Sequence, residues 1–189
     1  MIKNNKFLLN NFINVVIFGH PPHEIIEINE KLGLSTTVIT SIDQSKLMKK
    51  KLINFKVFNS IDEKCINFLK KKFDFKKTLF IGIGPRYIFK KETIKQFENN
   101  FINIHNSRLP LDAGGGAGSW TIMREDRICN MCIHMMTEDI DGGPIIASEL
   151  SLYPKECIIP SDFKDHASKL MIDFYQIFIK KLIKKYEFE

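Results

Sequence analysis

The sequence predicts an α/β domain built on a mostly parallel sheet with helices on both faces. Three observations lead there. Short apolar runs alternate with amphipathic stretches through the N-terminal half, the rhythm of strands joined by crossover helices. Two of the runs, NVVIFG at 14–19 and TLFIG at 78–82, are apolar after their first residue, as strands buried on both faces are. No internal repeat, low-complexity tract or Pro/Ser-rich linker divides the 189 residues, so residues 1–189 are read as one domain of a length that can bury a real core.

Taken in order, Asn14–Gly19 reads as the first buried strand and His23–Leu32 as a helix stopped by Gly33, since glycine accepts the left-handed turn that ends a helix. Leu34–Thr40 is β-branched and strand-like, Asp43–Ile53 helical, Phe55–Phe58 short and extended, and Ile61–Phe73 helical by the spacing of its apolar residues. Thr78–Gly82 is a further strand, Lys90–Phe97 a helix, and Phe101–His105 a strand that ends on polar residues. A loop of about fourteen residues containing GGGAG follows, then a short helix around Trp120–Arg124. Asn130–Thr137 is strand-like, Ile145–Leu152 is expected to pair near it, and an amphipathic helix from about Ser161 to Lys185 closes the chain.

Composition removes several functional classes. An apolar share of 44% with 7 prolines and 10 glycines is that of a globular protein. No run approaches the ~18–20 apolar residues of a membrane span. The basic start and apolar stretch of residues 1–19 imitate a signal peptide, but Asn10, Asn11 and Asn14 interrupt the apolar part and no small-residue cleavage site follows. A cytoplasmic protein is the expectation, with no membrane partner. The formal charge of +6 comes largely from lysines in short, scattered runs such as Lys49–Lys51, Lys70–Lys72 and Lys180–Lys181. That pattern is a solvated face rather than a nucleic-acid stripe, although it favours anionic small molecules. The four cysteines are too few and scattered to staple the fold. Cys129 and Cys132 form a C-x-x-C, but an odd separation on a strand puts them on opposite faces, and no second ligand pair completes a metal site. No metal is expected.

In an open α/β sheet the ligand crevice lies beyond the carboxyl ends of the strands. That rule directs attention to the exits of Thr78–Gly82 and Phe101–His105 and to the loop after Thr137. Asn103 and His105 are two apart on a strand, so they share a face, and an amide with an imidazole is costly to bury without partners. TEDIDGGP, residues 137–144, adds three carboxylates and two glycines in a loop. An amide donor can stabilise an oxyanion, an imidazole can move protons, and a carboxylate beside it can stabilise the protonated ring. That is the equipment of acyl transfer to an amine.

INIHNSRLP followed by IHMMTEDIDGGPI resembles the formyltransferase family, which includes glycinamide ribonucleotide transformylase, the methionyl-tRNA formyltransferase catalytic domain and the sugar N-formyltransferases. The family pattern is N-x-H-P-S-x-L-P, a glycine four residues on, then x-H-x-x-x-x-x-x-D-x-G-P. Asn103, His105, Ser107, Leu109, Pro110, Gly114, His134, Thr137, Asp141, Gly143 and Pro144 match it. The motif-level similarity runs from about Ile81 to Leu150; the first seventy residues agree only in their strand–helix rhythm. The resemblance implies a Rossmann-like formyltransferase fold and the donor N10-formyltetrahydrofolate. It implies that Asn103 binds the formyl oxygen, that His105 donates or shuttles a proton, and that Asp141 supports and orients it. Donor contacts are implied for Pro85, Arg86, Tyr87 and Ile88, for Thr137, Glu138, Asp139 and Ile140, and for Asn103 and Asp141 themselves. His134, on an interior strand, is read as structural.

Departures from the pattern bear on the acceptor, which the resemblance implies is a small primary amine. Asn106 stands where the family has proline, and Arg108 where it has leucine. The turn after the first strand, FGHPPHE, holds two prolines where glycinamide ribonucleotide transformylases offer backbone amides to a phosphate. GAGSW places Trp120 after the glycine loop, as sugar N-formyltransferases do. GGGAG itself is neither a Walker loop nor a dinucleotide fingerprint. Arg108, Gly114 and Trp120 are therefore the candidate acceptor contacts, and a nucleotide-linked amino sugar is the expected acceptor. Glycinamide ribonucleotide stays open as an alternative, as do a formyltetrahydrofolate hydrolase and an inactive folate-binding module. The tRNA-binding domain of the tRNA enzymes and the N-terminal domain of the hydrolases are not seen in these residues. Homo-oligomer formation stays open.

Overall fold

In the computed structural model of the chain, residues 11–48, 54–97 and 99–184 are described. Seven strands form one sheet in the order β3-β2-β1-β4-β5-β6-β7. They are β1 (Asn14–Gly19), β2 (Ser35–Thr40), β3 (Phe55–Val57), β4 (Thr78–Ile83), β5 (Phe101–His105), β6 (Ile128–Met135) and β7 (Ile145–Leu152). Strands β1 to β5 pair in parallel, and β6 and β7 are added antiparallel. Both expectations, a mostly parallel sheet and a β7 that pairs beside β6, hold.

Alternation along β1 divides the core into two. Val15 and Ile17 point to one face, where α1 (His23–Lys31) and α6 (Pro160–Ile183) pack. Val16 and Phe18 point to the other, against α3 (Glu63–Lys72). On that second face Phe18, Phe75, Phe80, Phe89, Phe97 and Phe101 pack ring on ring with centroids 4.5 to 6.4 Å apart, mostly in the tilted and edge-on arrangements that aromatic quadrupoles favour. On the first face the wholly buried Tyr175 of α6 donates its hydroxyl to Asn29 Oδ1 of α1 at 2.6 Å, and Asn29 Nδ2 donates to Thr36 Oγ1 on β2 at 3.1 Å. This polar chain ties α6 to the strand–helix–strand unit that begins the fold.

Several boundaries differ from expectation for local reasons. The segment expected to be helical over 43–53 opens with α2 (Ile42–Ser45), started by Ser41 Oγ accepting from Gln44 N, and turns away at 46–48; residues 49–53 lie outside the described set. The helix expected over 90–97 is α4 (Lys91–Ile94) running into a 3-10 turn, Lys95–Phe97, which tucks Phe97 into the aromatic cluster. α3 starts two residues late, at Glu63, because Asp62 caps it by accepting from Cys65 N. The last helix begins at Pro160, where a proline's missing N–H costs nothing, and its first turn is held by Asp162 Oδ2 accepting from Ile158 N and Ile159 N.

Candidate active site

Asn103 and His105 lie on the aromatic-cluster face of β5, and their cross-strand partners on β6 are His134 and Cys132. Directly opposite residues share a face, so the antiparallel pairing presents an amide, two imidazoles and a thiol together. Two loops reach this part of the sheet, 106–116 after β5 and 136–144 after β6.

The second loop delivers Asp141. Its backbone turns left-handed there, at φ +53, a conformation that aspartate tolerates better than most residues. Gly143 must be a glycine, since a Cβ would stand 1.8 Å from Met135 O. The close approach folds the loop back over β6, where Met135 N donates to Pro144 O at 2.9 Å. The Asp141 carboxylate then meets four groups. Oδ2 accepts from Gly114 N at 2.8 Å and lies 3.4 Å from His105 Nε2; Oδ1 lies 3.4 Å from Asn103 Nδ2 and 3.5 Å from His134 Nε2. The His105 contact is an ion-pair distance without hydrogen-bond alignment, so Nε2 is buried with no hydrogen-bond partner.

Asn103 is buried, and the space it occupies depends on its neighbour across β4. A Cβ on Gly82 would stand 2.5 Å from Asn103 Oδ1, so only glycine leaves room there. Asn103 Nδ2 is also 3.1 Å from His134 Nε2, while His134 Nδ1 is 3.0 Å from Met135 O. A carbonyl can only accept, so Nδ1 carries the proton and the bare Nε2 accepts from the Asn103 amide. Burial holds His134 below its usual pKa, outweighing the opposite pull of the Met135 carbonyl and Asp141, and the ring stays neutral. The same burial, with the charge of Asp141, pushes the Cys132 thiol up to about 11.

The structure therefore brings Asn103, His105 and Asp141 together and adds His134 to them. His134, read from the sequence as structural because it lies on an interior strand, is buried there; its position opposite Asn103 depends on a β5–β6 register that local periodicity does not contain. Cys129 faces the α6 core and Cys132 the site, on opposite faces as expected. All four cysteines are free, and no metal-binding cluster occurs among the described residues.

The two segments expected to hold the donor are the loops that leave β4 and β6. Pro85, Arg86, Tyr87 and Ile88 form the loop after β4, pinned by Tyr87 Oη donating to Phe58 O and by Gln44 Nε2 donating to Gly84 O. Thr137, Glu138, Asp139 and Ile140 form the loop after β6. Lys91 Nζ, at the start of the helix that follows the first segment, reaches Glu138 Oε1 of the second at 2.6 Å. Ile88 and Ile140, one in each segment, are 91% and 79% exposed.

The expected acceptor contacts fall differently. Trp120, on α5 (Ala117–Met123), is 55% exposed rather than packed in the core. Gly114 gives its N–H to Asp141. Arg108 is not a free cation: it pairs with Asp112 at 2.9 Å and Asp126 at 2.8 Å.

Comparison with known proteins bears on the family and the fold. Over 128 residues the chain is 26% identical to methionyl-tRNA formyltransferase of Prochlorococcus marinus (strain NATL2A), covering 68% of this chain and 32% of that one. It is 27% identical over 172 residues to the bifunctional polymyxin resistance protein ArnA of Wigglesworthia glossinidia brevipalpis, covering 77% and 26%. The chain thus spans about a third or less of the length of these curated relatives. Among solved structures, phosphoribosylglycinamide formyltransferase from Bacillus halodurans superposes with a TM-score of 0.74 at 21% identity, covering 92% of this chain and 97% of that one, a likeness of fold. The family model described as formyl transferase matches residues 40–159, a stretch that contains every side chain of the cluster just described. The chain belongs to the formyl transferase family.

Proposed function

We propose that the protein transfers a formyl group from N10-formyltetrahydrofolate to the primary amine of a small acceptor. The observation that carries this is the convergence of Asn103, His105 and Asp141 at one strand exit, beside two loops that suit a flat donor ring. In the reaction the acceptor nitrogen attacks the formyl carbon, the new N–C bond forms, and the bond from that carbon to N10 breaks. The proton lost by the amine ends on N10. Asn103 turns an amide hydrogen, held in the resting site by a long 3.4 Å contact to Asp141, toward the developing oxyanion. His105, whose Nε2 has no competing hydrogen bond, shuttles the proton. Asp141 supports the imidazole while it is charged. Pro85–Ile88 and Thr137–Asp141 would hold the donor, which supplies the activated one-carbon unit.

Two observations favour an amino sugar, nucleotide-linked, as acceptor. Trp120, on the helix that follows the Gly114 loop, is more than half exposed and free to meet a ligand. The turn before α1 is a poor phosphate cradle: Pro21 and Pro22 have no N–H, and His20 N already donates to Ile83 O. The second reading, glycinamide ribonucleotide, is favoured by the likeness to a phosphoribosylglycinamide formyltransferase over nearly the whole of both chains. Competition between the two acceptors at equal concentration, with formyl donor present, separates them. Formylated amino sugar as the main product is expected. Formylglycinamide ribonucleotide as the main product overturns the acceptor assignment, and formate released with neither acceptor consumed makes the protein a hydrolase.

A further inference from the structure

We propose that the ion network Arg108–Asp112–Arg124–Asp126 is a positioning device for Asp141, acting through the Gly114 amide. The inference rests on the reading of Asp141 as a catalytic carboxylate and assigns Arg108 a role other than acceptor binding. Arg108 Nε reaches Asp112 Oδ2 at 2.9 Å and a terminal guanidinium nitrogen reaches Asp126 Oδ2 at 2.8 Å, while Arg124 takes Asp112 Oδ1 at 2.9 Å. Two guanidinium groups meet two carboxylates, so the network is neutral and has no surplus charge to offer an anionic substrate. Asp112 has both oxygens committed and its side chain is 9% exposed; the two arginines hold its carboxyl below the usual range.

The network closes the loop after β5 at its middle. Asp112 N donates to Arg108 O at 2.9 Å, Ser107 Oγ donates to Asp112 O at 2.6 Å, and the buried Asn130 Nδ2 on β6 donates to Ser107 O at 2.8 Å. Asp126, the far anchor, accepts from Ile128 N at the start of β6 through its other oxygen. Residues 107–112 are thereby fixed to the strand that carries His134. Two residues on, Gly114 N makes the shortest contact to the Asp141 carboxylate, 2.8 Å against 3.4 to 3.5 Å for the three side chains. Where Gly114 stands decides where the carboxylate stands relative to His105, and the ion network decides where Gly114 stands. A bidentate carboxylate between two arginines is a directional fastening, so its loss displaces the loop rather than only softening it, and sub-ångström to ångström misplacement of a reacting group is kinetically expensive.

The test combines kinetics with a measurement that needs no turnover. In protein labelled with 15N-glycine, the Gly114 amide, assigned by its loss in Gly114→Ala, is expected to move upfield in Asp141→Asn and again in Asp112→Asn. Asp112→Asn is expected to lower kcat about 10-fold with KM for the acceptor within about 2-fold of wild type. Arg108→Gln combined with Asp141→Asn should be no slower than Asp141→Asn alone, because both act on one carboxylate. If Asp112→Asn does not fold, Arg124→Gln, whose side chain is nearly half exposed, carries the same expectations. A Gly114 amide indifferent to Asp141→Asn overturns the proposal, as does an Arg108→Gln defect confined to acceptor KM or multiplying that of Asp141→Asn. If the wild type formylates no amine, the functional reading fails while the amide shifts still decide the positioning.

Discussion

Asp141 has the demands of chemistry and of backbone conformation on one residue, and the two can be separated by choice of substitution. At φ +53 asparagine is tolerated almost as well as aspartate, whereas alanine adds strain. Asp141→Asn is therefore expected to fold normally and to lose at least ~100-fold in turnover, as His105→Ala is, the scale of lost acid–base assistance; near-normal rates in either purified variant would remove that residue from the mechanism. His134 answers to pH instead. Its folded pKa lies below the ordinary 6.5, so its contribution to stability is complete above about pH 6.5 and is lost as pH falls below that value toward the folded pKa. Protonation would also set a donor, Nε2–H, against the Asn103 amide hydrogens 3.1 Å away. Between pH 6.5 and 5 the melting temperature of the wild type should fall more steeply than that of His134→Gln, which keeps an acceptor and cannot titrate. Equal slopes would place the acid sensitivity elsewhere. The spacing of Asn103 and His105 put both on one strand face, while the choice of Asp141 among the three carboxylates of its loop came from the family resemblance. The contact of His134 with Asn103 and the pairing of Arg108 were not legible, since both depend on what a folded loop or a neighbouring strand brings opposite them.

At the scale of elements, α6 is held by more than its apolar stripe. Tyr175 is wholly buried and its hydroxyl reaches Asn29 Oδ1, so Tyr175→Phe leaves a buried acceptor unsatisfied. A loss of about 1–3 kcal/mol is expected, read as a lower midpoint in urea with an unchanged m-value, and with kcat unaltered because α6 contributes no side chain to the Asn103–His105–Asp141 cluster. An unchanged midpoint would mean that water replaces the hydroxyl. The apolar side chains of this helix were visible in the sequence as an amphipathic pattern. Its partner was not, because Tyr175 and Asn29 are 146 residues apart and nothing local marks either as buried. The phenylalanine cluster is similar: Phe18, Phe80 and Phe101 fall in strands the sequence predicts, but the way Phe89 meets Phe18 of β1 and Phe101 of β5 depends on the strand order.

The whole molecule places its chemistry to one side of the sheet's centre, between the last parallel strand and the first antiparallel one. Strand–helix alternation was enough to predict the parallel part, because each βαβ unit is written in contiguous sequence. Lys91 at the start of α4 pairs with Glu138 of the loop after β6, so a donor bound as proposed against that loop should stabilise both elements together. A reduced folate analogue at 100 times its Kd is expected to add about 2.7 kcal/mol by mass action, seen as a rise of several degrees in melting temperature; no rise at saturating analogue would sink the donor assignment. One further consequence lies in the pairing of β6 with β7. Ile133 faces Ala147 but His134 faces Ile145, so Ile146 is an extra residue on β7. Such a two-against-one step can be satisfied in one alignment only, and it stands immediately before the loop that carries Asp141. The gene is in consequence far less free to lose a codon here than to change one. Most substitutions at Ile146 leave the count intact, but its deletion would set Ile145 directly before Ala147, remove the local bend and added twist of the bulge, and so re-aim the chain where it enters β7 from the loop that carries Asp141.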